Sequence, residues 1–406
     1  MKAVYCVFAA KFDGMDTSYL IIIFSLSVLI SYVFDLLSSR YKLPSVILLL
    51  VLGMLMRQVT NYFAFQLPYV DTILPTLGTL GLILIVLEGA LELELTGDKF
   101  GIIRRAFWSS LASILVTSLL MAALFYVLME ASFFKCLVAA MPFAVISSAV
   151  AVPGARNLNP LSREFIVYES SLSDILGVMI FNFLVYNASG GIFSVLSFAK
   201  DTLIMVVISL ICCFFLLYLI SKISHHIKFL PIISVLFLVY AVSRIYQLSP
   251  LLLILVFGLF LNNTELFIRG RLDEIFKNDL FEKELDQFKN LTAEGAFIVR
   301  TFFFLLFGYA SNVQALIETD ALIVSFLLLI ILYTVRAGIL RFSLPGSINP
   351  VVFIAPRGLI TILLYLSIPE NLKLVGFRDG ILMVMVILTA LVMMLGVISY
   401  RETEPL

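Results

Sequence analysis

The chain has 406 residues, 62% of them hydrophobic and 13% charged, with 27 basic side chains balancing 27 acidic ones. A soluble domain is roughly 45–50% apolar and about 25% charged, so this chain cannot hide its apolar surface in a water-soluble core and must be solvated by lipid. Disorder, nucleic-acid binding and a secreted disulfide scaffold fall at the same step, because no net charge draws a polyanion and only four cysteines are present.

A membrane helix requires about 20 mostly apolar residues. Read in chain order, that window predicts thirteen spans, at about 18–37, 44–57, 72–92, 106–129, 133–153, 164–187, 199–221, 229–246, 248–262, 294–316, 320–341, 346–368 and 378–399. The first follows a short leader bearing Lys2 and Lys11, with no small-residue cleavage site, and is expected to be retained. Residues 263–290 mix both signs of charge around Leu272, Ile275, Phe276, Leu280, Phe281, Leu285 and Phe288. Their roughly helical spacing predicts an amphipathic connector on the cytoplasmic surface. Residues 401–406 form a short cytoplasmic tail, with no soluble domain expected. With the N-terminus outside, inner loops hold 16 of the 27 Lys and Arg, outer segments 8 and the spans three. That bias favours an outer N-terminus and a cytoplasmic C-terminus, which requires an odd number of spans.

Cys6, Cys136, Cys212 and Cys213 show no C-x-x-C or Cys/His ligand spacing, and His225 and His226 lie in a polar stretch read as a solvated loop. No zinc or iron–sulfur site and no cofactor are expected.

Some segments look alike. Pro44 to Gly53 (PSVILLLVLG) resembles Pro250 to Gly258 (PLLLILVFG), and GLILIVLEGA in the third span resembles TFFFLLFGYA in the tenth. Both pairs are seven spans apart, an odd number, so the two copies would be inverted in the membrane. The fifth span carries Pro142, Ser147, Ser148, Pro153 and Gly154; the twelfth, seven later, carries Pro350, Pro356 and Gly358. Broken helices at matched positions expose backbone groups at mid-membrane depth, which is tolerated where they line a cavity or bind an ion; ordinary proline kinks are the alternative. The expected domain is one transmembrane unit over 1–401, with repeat one at about 18–187, a linker helix at about 199–221 and repeat two at about 229–399.

Charges at membrane depth are costly and mark function or pairing. Five stand out: Glu88, Glu169, Asp174, Arg300 and Arg357; Glu294 and Arg336 read as interfacial. Ser170 and Asp174 are four apart and share a helical face. Ser173 precedes the aspartate, and Glu169 lies on a neighbouring face within reach of Arg357. A lone carboxylate in a lipid-shielded but hydrated site can hold a proton or a small cation, and their competition gives antiport. A buried Glu169–Arg357 pair can instead be purely structural.

These residues carry a family resemblance. LEGALEL (Leu87 to Leu93) is similar to the F-E-G/A-G-L-E-L signature of the cation/proton antiporter superfamily, sodium/proton exchanger branch of bacterial type. ESSLSD (Glu169 to Asp174) resembles its E-S-x-x-N-D signature, and RGLITILLYLSIP (Arg357 to Pro369) its R-G-A-x-x-L-x-L-A-x-x-x-P stretch. SSAVAV (Ser147 to Val152) takes the place of T-D-P-V-A-V. The resemblance implies an all-α fold of about thirteen transmembrane helices, with inverted repeats, two crossing discontinuous helices, a dimerisation domain and alternating access. It implies Asp174 as the cation- and proton-binding carboxylate, Ser170 and Glu88 as further ion-site groups, and Glu169–Arg357 as a stiffening pair. Ser173 departs from the family's asparagine, and Ser147-Ser148-Ala149 departs from T-D-P, removing one carboxylate. Serine hydroxyls still offer oxygen to a hard cation, more weakly.

The expected function is therefore exchange of a monovalent cation, sodium foremost with potassium or lithium as alternatives, for protons across a bacterial inner membrane by a homodimer. With one proton-binding carboxylate, the simplest stoichiometry is one for one; Arg300 is a candidate counter-charge. Two alternatives are a degenerate antiporter fold acting as ion sensor or channel, and an intramembrane enzyme. The latter lacks a membrane-buried histidine and a second aspartate to partner Asp174, since Asp35 and Asp71 sit near span ends.

Overall fold

The computed structural model describes residues 17–41, 44–62, 70–156, 158–186, 200, 203–204, 207–212, 215, 229–245, 250–264, 279–344, 347–378 and 380–400. Besides a single helical turn at Val313–Leu316, its principal helices are α1 (Thr17–Tyr41), α2 (Ser45–Tyr62), α3 (Val70–Glu92), α4 (Phe100–Met129), α5 (Phe133–Ala144), α6 (Ser148–Gly154), α7 (Pro160–Tyr186), α8 (Phe229–Ile245), α9 (Pro250–Asn262), α10 (Asp279–Ala310), α11 (Thr319–Ser343), α12 (Leu359–Leu366) and α13 (Gly380–Ser399). Among the described residues there is no strand. Among the described residues, seven helical segments are long and apolar enough to cross a membrane, α5 and α6 together making one of them; α8 and α9 are shorter apolar helices. The chain is thus a multi-pass, all-α membrane protein. Large apolar side chains such as Leu29 of α1, Leu55 of α2, Leu119 of α4 and Phe326 of α11 remain exposed, as lipid solvation permits.

Local chemistry sets several boundaries. Pro44 separates α1 from α2, because proline cannot continue a helix and biases the residue before it away from helix. Pro160 occupies the first turn of α7, and the Asn159 side-chain oxygen accepts from Ser162 N at 2.8 Å, an N-cap. In α11, Asp320 lies in the first turn and Arg341 in the last, each complementing the helix dipole. Lys99, in the turn after α3, bridges Glu94 at 2.6 Å and Glu164 at 3.1 Å. Hydrogen bonds to those carboxylates push its ammonium above the usual lysine range.

Helices α2 and α10 pack together, and so do α9 and α3. The close approach depends on glycine in both cases. A Cβ on Gly53 would overlap the Leu305 carbonyl and meet Tyr309 N at 2.8 Å, and one on Gly258 would meet the Ala90 methyl at 2.5 Å. These are corresponding glycines of the two segments that look alike in sequence, packed against corresponding parts of the two that follow them.

One finding differs from the sequence expectation. Residues 265–278 of the expected connector lie outside the described residues, as does most of the span expected at 199–221. From Asp279, however, the chain is one helix through Ala310, so the second half of the connector is the start of the tenth span. Nothing between Asp279 and Glu294 breaks the backbone, and the amphipathic and apolar parts share one helical period.

Candidate functional site

The site lies where two helices are interrupted. After α5, residues Val145 to Ser147 are extended before α6 begins at Ser148. Opposite them, the segment from Ile354 to Gly358 is non-helical, between a 3-10 turn at Val351–Phe353 and α12. Pro350 and Pro356 explain the second break, since each removes a donor and constrains the residue before it. The stretches meet directly: Ser147 N donates to the Pro356 carbonyl at 3.0 Å. A Cβ on Gly358 would sit 2.6 Å from Ser147 Oγ, so only glycine fits at this crossing. The expectation of two broken spans that cross is met here.

Helix α7 brings Asp174 against the first break. The carboxylate is 3% exposed. Its Oδ2 accepts from Ser148 N at 3.0 Å and Ser148 Oγ at 2.5 Å, while Oδ1 is buried without a hydrogen-bond partner among the described residues. Ser173 Oγ accepts from Ile146 N at 2.9 Å and so ties α7 to the break. A Cβ on Gly177 would collide with the Val145 side chain, so glycine there lets α7 approach the extended segment. Ser170 donates its hydroxyl proton to Ile166 O of its own helix at 2.7 Å. Ser147 Oγ and Thr361 Oγ1 are buried with no partner among the described residues. The oxygens at the crossing therefore come from one carboxylate and several hydroxyls, a hard and singly charged set that suits a monovalent cation.

The expected pairing of Glu169 with Arg357 is not what the structure shows. Glu169 Oε2 is bound by Arg336 Nη2 of α11 at 2.9 Å, and Oε1 accepts from Ser109 Oγ of α4 at 2.7 Å. Arg336 also donates to the carbonyls of Val351, Val352 and Ile354 at 2.9–3.1 Å, locking the turn ahead of the second break. Arg357 instead donates to Phe143 O at 2.6 Å, Ala144 O at 3.2 Å and Ala355 O at 2.8 Å, and its amide donates to Thr389 Oγ1 at 2.9 Å. The reason is geometric. Arg357 lies within the extended break, where its acceptors are the neighbouring Ala355 carbonyl and the free carbonyls at the end of α5, the negative end of that half-helix.

Arg336 reads as interfacial in the sequence, yet it is 3% exposed. A signal for its burial exists. The buried positions of α11 are Ala321, Ser325, Leu328, Leu332, Arg336 and Leu340, a single stripe at helical spacing on which Arg336 falls.

Glu88 and Arg300, expected as separate features, form an ion pair at 3.0 Å. They line a cavity of about 90 Å³ together with Glu92, Arg156, Ser148 and Ser171, enough for several waters. Ser148 thus connects the cavity to the Asp174 carboxylate. Sequence reasoning missed Glu92, Arg156 and Ser171 as cavity residues, because tertiary packing rather than any local pattern brings them to that wall.

The model of the sodium/hydrogen exchanger transmembrane family matches residues 25–400. Among solved structures, the sodium proton antiporter MjNhaP1 from Methanocaldococcus jannaschii at pH 8 is similar at TM-score 0.70 with 18% identity, covering 95% of this chain and 99% of that one. An electron-microscopy structure of the same antiporter is similar at TM-score 0.68 with 16% identity, covering 97% and 100%. At those identities the likeness establishes the fold. A search of curated sequences finds no match. With the family model spanning nearly its whole length, the chain belongs to the sodium/hydrogen exchanger family.

Proposed function

We propose that this protein is a secondary transporter that exchanges a monovalent cation for a proton at Asp174 by alternating access. The observation that carries the reading is the carboxylate itself. It is buried at the crossing of two broken helices, with one oxygen held by Ser148 and the other unpartnered among the described residues, and Ser148 also lines a cavity of about 90 Å³. A proton and a cation compete for that oxygen. Each neutralises a charge that is expensive to leave bare at membrane depth, so the loaded forms are the ones able to change conformation.

The single carboxylate favours one cation per proton. Sodium is the foremost candidate, in keeping with the family, and potassium or lithium are the alternatives. The distribution of Lys and Arg supports an outer N-terminus and a cytoplasmic C-terminus in a bacterial inner membrane, and the family resemblance supports a homodimer. The test is cation-induced dequenching of a pH-gradient dye in proteoliposomes. A response to at least one of Na+, K+ or Li+ between pH 6 and 9 is expected, and silence with all three rejects exchange. A second reading is favoured by the serines that stand where the family signature has aspartate and asparagine. It is an exchanger fold working as ion sensor or channel, and conductance in planar bilayers without exchange would select it.

A further inference from the structure

Arg357, Arg336 and Arg300 are held in different ways. Arg357 spends all three of its side-chain nitrogens on protein oxygens, and Arg336 clamps three backbone carbonyls besides Glu169. Arg300 has only two acceptors, Glu88 Oε2 at 3.0 Å and the Ala149 carbonyl at 3.3 Å; its Nε is buried and unpartnered among the described residues, as is Nη1 of Arg336, but Arg336 has four acceptors. As a structural clamp it is poorly satisfied.

Its ligands have a different character. A carboxylate oxygen and a backbone carbonyl from the first turn of α6 are oxygens of the kind a small hard cation takes. They face the cavity whose wall includes Ser148, the donor that holds Asp174. The other charges lining that cavity, Glu92 and Arg156, are of opposite sign. Its field is therefore decided by whether Glu88 is neutralised.

We infer that Arg300 is a tethered cation that fills the position formed by Glu88 and the Ala149 carbonyl, and that it thereby limits the cavity to one mobile cation, the one on Asp174. Arg300 is in this sense a specificity-determining residue. The inference rests on Asp174 as the exchange site. Removing the guanidinium exposes a second anionic position to entering ions; removing Glu88 alone leaves an unpaired positive charge that repels them.

Two measurements test it. In the first, the apparent KM for Na+ or K+ is read in proteoliposomes. Arg300→Gln lowers it, because a unit positive charge no longer opposes the entering cation, and raises the Hill coefficient above that of wild type. Glu88→Gln raises the KM, and the double substitution lies between the two. Arg300→Lys, which keeps the charge without the fork, moves it less than Arg300→Gln. A pair that merely staples α3 to α10 would give single substitutions that lower kcat or yield without opposite shifts in KM, and that result overturns the inference.

The second measurement counts radiolabelled Na+ or Rb+ bound at equilibrium to the detergent-purified chain, and needs no turnover. About one ion per chain is expected for wild type and about two for Arg300→Gln. Equal counts overturn the inference. One ion bound by wild type and two by Arg300→Gln, with no exchange in vesicles, would leave the inference standing and reject the exchange reading instead. Should Arg300→Gln not fold, the less disruptive Arg300→Lys and the charge-free double substitution still decide the sign of the KM shifts.

Discussion

Exchange of partners between Glu169, Arg336 and Arg357 gives the sharpest energetic prediction. Arg336→Leu leaves the Glu169 carboxylate buried with only the Ser109 hydroxyl, and deprives the carbonyls of Val351, Val352 and Ile354 of a shared donor. Removing one partner of a buried ion pair costs about 3–5 kcal/mol, and the stranded carbonyls place this case at the upper end. Glu169→Gln keeps an acceptor for the guanidinium and costs less, about 1–3 kcal/mol. The two changes together should cost less than their sum by roughly 2–3 kcal/mol, because the second removes what the first left unpaired. Glu169→Gln combined with Arg357→Gln should show coupling below about 1 kcal/mol, since those side chains bind different partners. Apparent melting temperatures of the six proteins, measured in one detergent at one scan rate, give the ranking even where unfolding is irreversible. Strong coupling of Glu169 with Arg357 and additivity with Arg336 would refute the network described above.

Other consequences follow from the same geometry. Ser148→Ala removes the 2.5 Å hydroxyl donor to Asp174 but keeps the amide donor; it should weaken apparent cation affinity several-fold at a stability cost of about 1–3 kcal/mol, read as KM and melting temperature together. Gly53→Leu and Gly258→Leu should each force apart the helix pair they join and cost more than about 3 kcal/mol, the upper range for overpacking, seen as loss of monodisperse protein. Gly97→Ala, where a Cβ meets nothing within 4 Å, should leave the elution profile unchanged. If proton and cation exclude each other on one carboxylate, the apparent KM for the cation should rise as pH falls, approaching tenfold per unit. A KM independent of pH between 6 and 9 would contradict a shared site.

Much of the fold is legible because membrane helices announce themselves by length and apolarity. The inverted repeat is legible for a more specific reason. Gly53 and Gly258 stand at matched places in look-alike segments, and both allow a neighbouring helix to approach closely. The breaks near Ser147 and Pro356 show in the sequence through proline, glycine and small polar residues. Partnerships among the buried charges do not show, because a helical face reaches several neighbours and the choice is made by tertiary packing. Glu169 faces both arginines in principle, and only the placement of α11 selects Arg336. Likewise the Glu88–Arg300 pair joins residues 212 positions apart, and no local pattern specifies it. The fusion of 279–290 to the tenth span is hidden by charge content, which resembles a loop although its period is that of the helix it extends.

The central claim is that cation and proton compete for Asp174, and proton release tests it most directly. Purified protein in weakly buffered detergent solution is mixed with Na+, K+ or Li+ while pH is followed, beside Asp174→Asn. Wild type should release up to about one proton per chain with at least one of the cations, the amount falling as pH rises above the carboxylate's titration. Asp174→Asn, still monodisperse, should release none. Undiminished release from Asp174→Asn would place the competition on another group and contradict the account.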